Sequence, residues 1–538
     1  MKLYFKLLNT LGVYYMIEES REQIIKDDFD VVVIGAGNGG LIAAAQLAIE
    51  GVKVMLCEQH NLPGGFATSF IRGRFEFEGA LHELCDYGPS SNKGAIRKLL
   101  EEDMGLNIDF VEIPEAFRLI INDPNEKLDV LVPFGKEEFV KMMEKEVPGS
   151  EDSIRKYLKL SEEIINAISY ITESQGNPDK DKLIGNYKNF LKTAPYTVDQ
   201  VNTALSIPKR AQDILNAYWC YIGIPTSRIN FTFYAAMHYY FLIRKAYIPK
   251  HRSHGYTAAL ESLIRKNGGK ILYNTKVNRI NLKNKQIIGL ETTKGDKIRT
   301  KHVISNASPT LVYNNLIYPK NEVPSQALKT INARRHAISC FVVYLGLNAS
   351  AKELGIDNYS YHIYDTTNTE EIYESFKTLN PPKAQATVCL NNVLPECSPK
   401  GTCILTITAF FLPEAWEAVK PEDYFNLKNK IARHLINTFE FATKTSIRDY
   451  IEEIEIATPQ TLARYTGTFG GSAYGYETDP WDSFMPRLME MNNEKYLEGL
   501  EFCGGFSANC QSYTNALLSG QIAAFLTLKK LNEKGDSE

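Results

Sequence analysis

The chain has no apolar run that reads as a bilayer-spanning helix, which needs about 20 consecutive apolar residues. The first fifteen residues, MKLYFKLLNTLGVYY, are apolar and aromatic, but Lys6 and Asn9 interrupt them and no small-residue cleavage site follows. Three readings stay open for them: an interfacial segment lying on a membrane, a helix packed on the protein body, or a leader ahead of a start at Met16. The nine cysteines are odd in number, scattered and without a CxxC pair, which argues against a zinc site or a disulfide framework and favours a reducing cytoplasm, peripheral to a membrane if the interfacial reading holds. One-sign charge runs are missing too. Lys plus Arg is 60 against 64 for Asp plus Glu, a net charge of −4, so nothing calls for a nucleic-acid partner. Repeats and low-complexity segments are absent. What remains is a chain of 538 residues, 44% apolar, long enough for two or three domains with sizeable cores.

The most telling stretch is DFDVVVIGAGNGGLIAAAQLAIEGVKVMLCEQ, residues 28–59. It reads as strand, glycine turn, helix, strand and terminal acid. Val31 to Ile34 form a buried strand, Gly35 makes the tight turn, Gly37 lets backbone approach a pyrophosphate, and Gly40 lets the helix pack closely. Ala36 and Asn38 complete the loop, whose free N–H groups and helix dipole favour an anion. Glu58, followed by Gln59, stands where a carboxylate accepts hydrogen bonds from ribose hydroxyls. The alternative is a bare βαβ crossover.

A second glycine pair follows the acid directly, in EQHNLPGGFATSFIRGRFEFEGALHEL, residues 58–84. Gly64, Gly65, Ala67 and Thr68 offer small side chains and open backbone N–H groups, suited to a large extended cofactor such as FAD. A plain surface turn at Pro63-Gly64-Gly65 is the competing reading.

DVVVIGAGNGG, EQHNLPGG and FEFEGALHEL together resemble the phytoene desaturase family, which includes carotenoid desaturases, carotenoid isomerases and retinol saturases. The resemblance resumes in residues 253–280, in HVISNASPT (302–310), in GTFGGSAYGYE (467–477) and in LEFCGGFSANCQSYTNALLSGQIAA (500–524). It implies an α/β fold with a Rossmann-type, glutathione-reductase-like FAD-binding domain and a mixed α+β substrate domain. It implies that Val277 holds the adenine end through its backbone, that Asn306 lies in the cofactor site, and that Gly505 and the residues before the last helix, Asn515 among them, meet the flavin end. Relatives usually fill that last segment with consecutive glycines, whereas here it reads SANCQSYTNA. Asn509, Gln511, Tyr513 and Asn515 are therefore candidates for hydrogen bonds to the flavin, or ordinary capping and loop residues.

The organisation expected is an N-terminal extension (1–27), three FAD-domain segments (28–95, 251–310, 461–538) and two substrate-domain segments (96–250, mostly helical, and 311–460). In the first of these, DFVEI, RLIIN and DVLVPF are short strand candidates. INFTFYAAMHYYFLIRKAY, residues 229–247, is aromatic on every side. It belongs in a core or against a large apolar ligand, and His238 within it reads as a hydrogen-bonded core histidine. Residues 280–308 read as short strands joined by Lys-Asn and Lys-Gly-Asp turns. SCFVVYLGLN, QATVCLN and GTCILTITAFFL read as an antiparallel sheet walling a cavity.

The function these features imply is FAD-dependent redox chemistry at a carbon–carbon double bond (saturation, desaturation or cis–trans isomerisation) in a long apolar substrate such as a carotenoid, retinoid or unsaturated lipid. His82, Tyr474 and Tyr513 are the candidate proton donors, His82 foremost. With a single GxGxxG unit, the electron partner expected is a quinone, oxygen, a reductase or a transiently bound NAD(P)H. Competing readings are an amine-oxidase-like flavoenzyme, for which a lysine bridging water to the flavin is not identifiable, and a non-catalytic flavin-containing lipid scaffold.

Overall fold

The computed structural model describes residues 28–174, 177–483, 486–487, 496–507 and 512–535. The readings of the first fifteen residues, of Asn509 and of Gln511 fall outside them. The four-residue strands Val31–Ile34 and Val54–Cys57 are buried along their whole length, as continuous aliphatic runs in a covered parallel sheet should be. They form the middle of a five-stranded parallel sheet in the order Lys270–Leu272, Val54–Cys57, Val31–Ile34, His302–Ser305, Leu500–Phe502. One layer thus draws on three distant parts of the chain.

The helix Asn38–Ile49 begins at Gly37, with no side-chain cap and no acid in its first turn. Its small residues let neighbours come close: a Cβ on Gly40 would stand 2.0 Å from the Gly35 carbonyl oxygen. The last helix, Tyr513–Gly535, packs across it at Gly520, where a Cβ would stand 2.2 Å from the Gly39 carbonyl oxygen.

A four-stranded sheet follows the third strand of the first layer, ordered Lys297–Ile298, Gln286–Thr292, Val277–Lys283, Ile317–Tyr318. Its hairpin turns at Asn284 and Lys285, both at positive φ, as a two-residue turn of matching twist requires.

The larger sheet has seven strands, in the order Ile451–Ala457, Ser339–Leu347, Cys403–Phe411, Ala384–Cys389, Ser360–Tyr364, Phe117–Ile121, Leu128–Val132. The three strands read from sequence in this region pair antiparallel. Residues 96–250 contribute more than helices, since Phe117–Ile121 joins this sheet parallel to Ser360–Tyr364, and Phe110–Glu112 pairs with Ala246–Pro249. Alternation splits the sheet's side chains. Phe341, Val343, Leu405 and Ile407 pack with Leu435 and Phe439 of the helix Pro421–Thr443, while Val342, His362, Val388 and Phe410 face the other way and line a cavity.

Gly520→Ala is expected to force the last helix off the first and to cost about 1–3 kcal/mol, the usual penalty of overpacking. A thermal melt followed by circular dichroism measures it, and a transition temperature equal to that of the unsubstituted protein would contradict this close contact.

Candidate functional site

A single cavity of about 1440 Å³ runs from the edge of the parallel sheet to the inner face of the seven-stranded sheet. At its sheet end the walls are main chain. Gly35, Gly37, Asn38, Gly64 and Gly65 line it, and the Gly64 N–H donates to the Ala36 carbonyl at 2.7 Å. Gly64 sits at φ +115° and Gly65 at +61°, conformations that favour glycine. Ala36, Gly40, Ala67 and Thr68 are not on the wall but shape it from behind. Ala67 is fully buried with its N–H on the Gly64 carbonyl, and the Thr68 carbonyl accepts from the Gly79 N–H.

Glu58 sits beside this loop. Its carboxylate accepts the Ala36 N–H at 2.7 Å and the His60 N–H at 2.8 Å, and its backbone carbonyl takes the Thr275 N–H at 2.7 Å. That last bond brings Val277, also on the cavity wall, alongside. Gln59 donates to the Tyr465 carbonyl at 3.2 Å, and the His60 ring stacks on Tyr465 at 4.1 Å. Gln59 lines the cavity and also fastens the helix Pro459–Thr466 over it.

Asn306 is the pivot between the loops. Its amide nitrogen would lie 2.3 Å from a Cβ on Gly37 and its amide oxygen 2.5 Å from one on Gly504. Gly505 is different, because a Cβ there would meet nothing within 4 Å, so its backbone opens on the cavity. Asn515 also lines it, with its N–H on the Ser512 hydroxyl at 3.0 Å. An uncapped helix N-terminus, a wall of glycine backbone and a carboxylate at the strand end together fit a pyrophosphate, ribose and flavin laid end to end.

Beyond Gly65 the cavity widens between the seven-stranded sheet and the helix Phe231–Leu242. This helix is buried nearly all round, as its aromatic sequence requires, with one face in the core and another on the cavity. Phe233, Met237, Tyr240 and Phe241 line the cavity, whereas His238 faces the core, its Nδ1 3.0 Å from the Tyr157 hydroxyl. Burial lowers the His238 ring to about 3, so it stays neutral.

All three candidate proton donors read from sequence line this cavity. Burial lowers the His82 ring to about 4, which leaves it a neutral imidazole, and raises the phenols of Tyr474 and Tyr513 well above 10. The Tyr513 hydroxyl lies 3.4 Å from the Phe66 carbonyl. Tyr474 is held through its backbone neighbours: the Ala337 N–H donates to the Gly475 carbonyl and the Ala473 N–H to the Ile338 carbonyl, at 2.9 and 3.0 Å. Farther along, Asp482 pairs with Arg334 and Arg487, and Arg228 with Glu477 and Asp479, pinning this segment.

Two further residues matter to the site that the sequence motifs do not single out, one on the wall and one behind it. Glu83 follows His82 in the quoted segment GALHEL, so its position was in view while its chemistry was not. Its carboxylate accepts the Tyr221 hydroxyl, and burial raises it to about 7. The other is Tyr256, whose hydroxyl donates to the Asn38 side chain at 2.7 Å, fixing a residue of the glycine loop from a helix two hundred residues away in sequence, Arg252–Lys266.

Residues 39–397 match the flavin containing amine oxidoreductase family. The chain belongs to that family. Its cofactor is FAD, and it is an oxidoreductase. The resemblance read from the sequence holds among curated relatives as well. All-trans-retinol 13,14-reductase of Danio rerio is 26% identical over 483 residues, 84% of this chain and 78% of that protein. Prolycopene isomerase 2, a chloroplast protein of an Oncidium hybrid cultivar, is 24% identical over 466 residues, 82% and 75% of the two chains. Among solved structures, an oxidoreductase from Methanosarcina mazei superposes with a TM-score of 0.59 at 17% identity, covering 92% of this chain and 99% of the other.

Glu58→Ala leaves the Ala36 and His60 N–H groups without their acceptor. FAD affinity is expected to fall by the worth of a charged hydrogen bond, about 1.5–3 kcal/mol. Flavin-to-protein absorbance after dialysis measures this, and undiminished occupancy would count against Glu58 at the ribose.

Proposed function

We propose that this chain uses FAD to act on a carbon–carbon double bond, by saturation, desaturation or cis–trans isomerisation, in a long apolar substrate such as a carotenoid, retinoid or unsaturated lipid. The observation that carries the reading is the composition of the cavity's far wall. Cys340, Val342, Ala386, Val388, Thr408 and Phe410 of the seven-stranded sheet line it together with Phe233, Met237 and Phe241 of the helix, Ser360, His362 and Gln385 adding polar but uncharged side chains, and no lysine stands on that part of the wall among the described residues. An apolar slot of this kind gains affinity in proportion to the apolar area it removes from water, about 25 cal/mol per Å². It suits a polyene better than an ammonium ion. The names of the two curated relatives, a retinol reductase and a lycopene isomerase, point the same way.

In this reading bound FAD supplies the hydride exchange. The chain's own residues hold the substrate flat between sheet and helix, exclude water and move a proton. The cofactor's phosphates belong with the backbone of Gly35, Gly37 and Asn38, which Ala36 shapes from behind, its ribose with Glu58, its adenine with Val277, and its ring with Gly65, Gly505 and Asn515. The electron partner in this reading is a quinone, an NAD(P)H or a reductase. Association with a membrane surface would shorten the path of so apolar a substrate; no helix among the described residues is long and apolar enough to cross a membrane.

Amine oxidation is the second reading, favoured by the family's description and by Glu83, whose carboxylate could pair with an ammonium group. Anaerobic mixing separates the two. Reduced holoenzyme given a panel of polyenes, retinoids and unsaturated fatty acids should be reoxidised with a gain of two hydrogens in the product, or should change its geometry at constant mass. Reduction of the oxidised flavin by amines, with silence toward the whole polyene panel, would overturn the proposal.

A further inference from the structure

We propose that Glu83 is the residue that exchanges a proton with the substrate, and that Tyr221 positions it. The assignment rests on the double-bond chemistry proposed above and names the group that completes it. Hydride transfer to one carbon of a double bond leaves its neighbour in need of a proton, and a titratable side chain held beside the substrate delivers one without waiting on the chance approach of solvent. The donor is to be sought among the side chains of the wall.

The acids of the cavity sort themselves by their partners. Glu58 is taken up by two backbone N–H groups. Asp86 pairs with Arg244 at 2.9 Å and accepts the Ala95 N–H. Glu173 and Glu533 are exposed. Glu83 differs from all of them. It lies deep in the protein, its remaining accessible surface is on the cavity wall, and among the described residues its hydrogen-bond partner is the Tyr221 hydroxyl. Its placement is fixed from both sides. On one, Tyr359 donates to the His82 carbonyl and Leu84 pairs with Tyr247. On the other, Tyr221 ends the short helix Asn216–Tyr221 with its ring on Phe241 at 5.3 Å.

The titratable groups that face Glu83 are Tyr218 and Tyr221 from that helix, Tyr359 ahead of the strand Ser360–Tyr364, Tyr474 from the last segment, and His82 and Cys85 on its own. None is a cation at neutral pH. Desolvation is therefore opposed by no cation, only by the Tyr221 hydrogen bond, and the carboxyl is raised to about 7, the range in which a general acid serves best. The surrounding phenols are pushed too high to give up a proton, and His82 too low to carry a second one.

For saturation the balance is as follows. The carbon–carbon π bond breaks. One carbon receives the hydride from reduced flavin and the other the proton from the Glu83 carboxyl. The substrate gains two electrons, the flavin is oxidised, and Glu83 is left as a carboxylate to be reprotonated from solvent. Desaturation runs the same exchange backwards, with the carboxylate as base.

The test follows the single-turnover rate of flavin oxidation or reduction by substrate against pH in the holoenzyme, together with an infrared titration of the substrate-free holoenzyme. In the saturation direction the rate should fall as pH rises through about 7; in the desaturation direction it should rise. Glu83→Gln keeps the shape and should lose that limb, with a rate lower by roughly 10² to 10⁴-fold and substrate binding, read from the flavin spectrum, unchanged. Tyr221→Phe removes the hydrogen bond that holds the carboxyl down, so its limb should move to higher pH, a shift that loss of packing would not produce. A carboxylic-acid C=O band titrating near 7 should be present in the unsubstituted protein and absent from Glu83→Gln. A Glu83→Gln enzyme with unaltered rate and pH profile, or a limb unmoved in Tyr221→Phe, would overturn the assignment. If no double-bond substrate turns over, the proposed function fails and the infrared titration decides on Glu83 alone, the absence of that band rejecting it.

Discussion

The glycine loop at residues 35–40, Asn306, and the glycines Gly504 and Gly520 come together more closely than a Cβ on those glycines would allow. A Cβ at Gly37, Gly39, Gly504 or Gly520 would come within about 2.2 to 2.6 Å of Asn306, Gly504 or Gly39, and real carbon atoms do not sit there. The parallel sheet, the helix Asn38–Ile49 and the last helix depend on this contact, and so does the groove they enclose. Because the glycines bring no side chains to the contact, their main chain reaches the groove directly. A dinucleotide can then be gripped along its length by main chain, at little conformational cost.

From that anchored end the cavity changes character. Near the glycine loops it is polar and its buried acids have partners: Glu58 takes two N–H groups, and Asp86 takes Arg244. Toward the seven-stranded sheet apolar side chains prevail, and burial shifts ionisable groups toward whichever form is neutral. The same desolvation lowers His82, His238 and His362 while it raises Glu83 and the tyrosines. A gradient from charged and gripped to neutral and slippery is what a flavoenzyme for an apolar substrate needs, since the cofactor must stay while substrate and product pass. The clamp of Arg228, Arg334 and Arg487 on Glu477, Asp479 and Asp482 holds the wall segment that carries Tyr474. These ion pairs are buried and multiply satisfied, so breaking one partner would leave an uncompensated charge.

Much of the fold was legible because its signals are local. The strand, glycine turn and helix at 31–49 are written in consecutive residues, and so are the hairpin at Asn284 and Lys285 and the alternating strands at 339–347 and 403–411. The aromatic helix 231–242 was legible as buried but not in its two faces, because all-round hydrophobicity carries no direction. The strand Phe117–Ile121 reads as a strand from its own residues. That it pairs with Ser360–Tyr364, far along the chain, does not follow from them.

The sequence by itself determined the glycine loop and the cofactor class, since glycine at a tight turn and an acid at a strand end are demands of backbone geometry that a short segment states in full. It determined the family through the same motifs. Only the tertiary structure decided which side chains share the cavity and in which protonation state. Glu83 is an ordinary surface-type residue until Tyr221, Tyr359 and Tyr474 close around it from other parts of the chain. Desolvation depends on everything packed within a few ångströms, and neighbours in space are not neighbours in sequence.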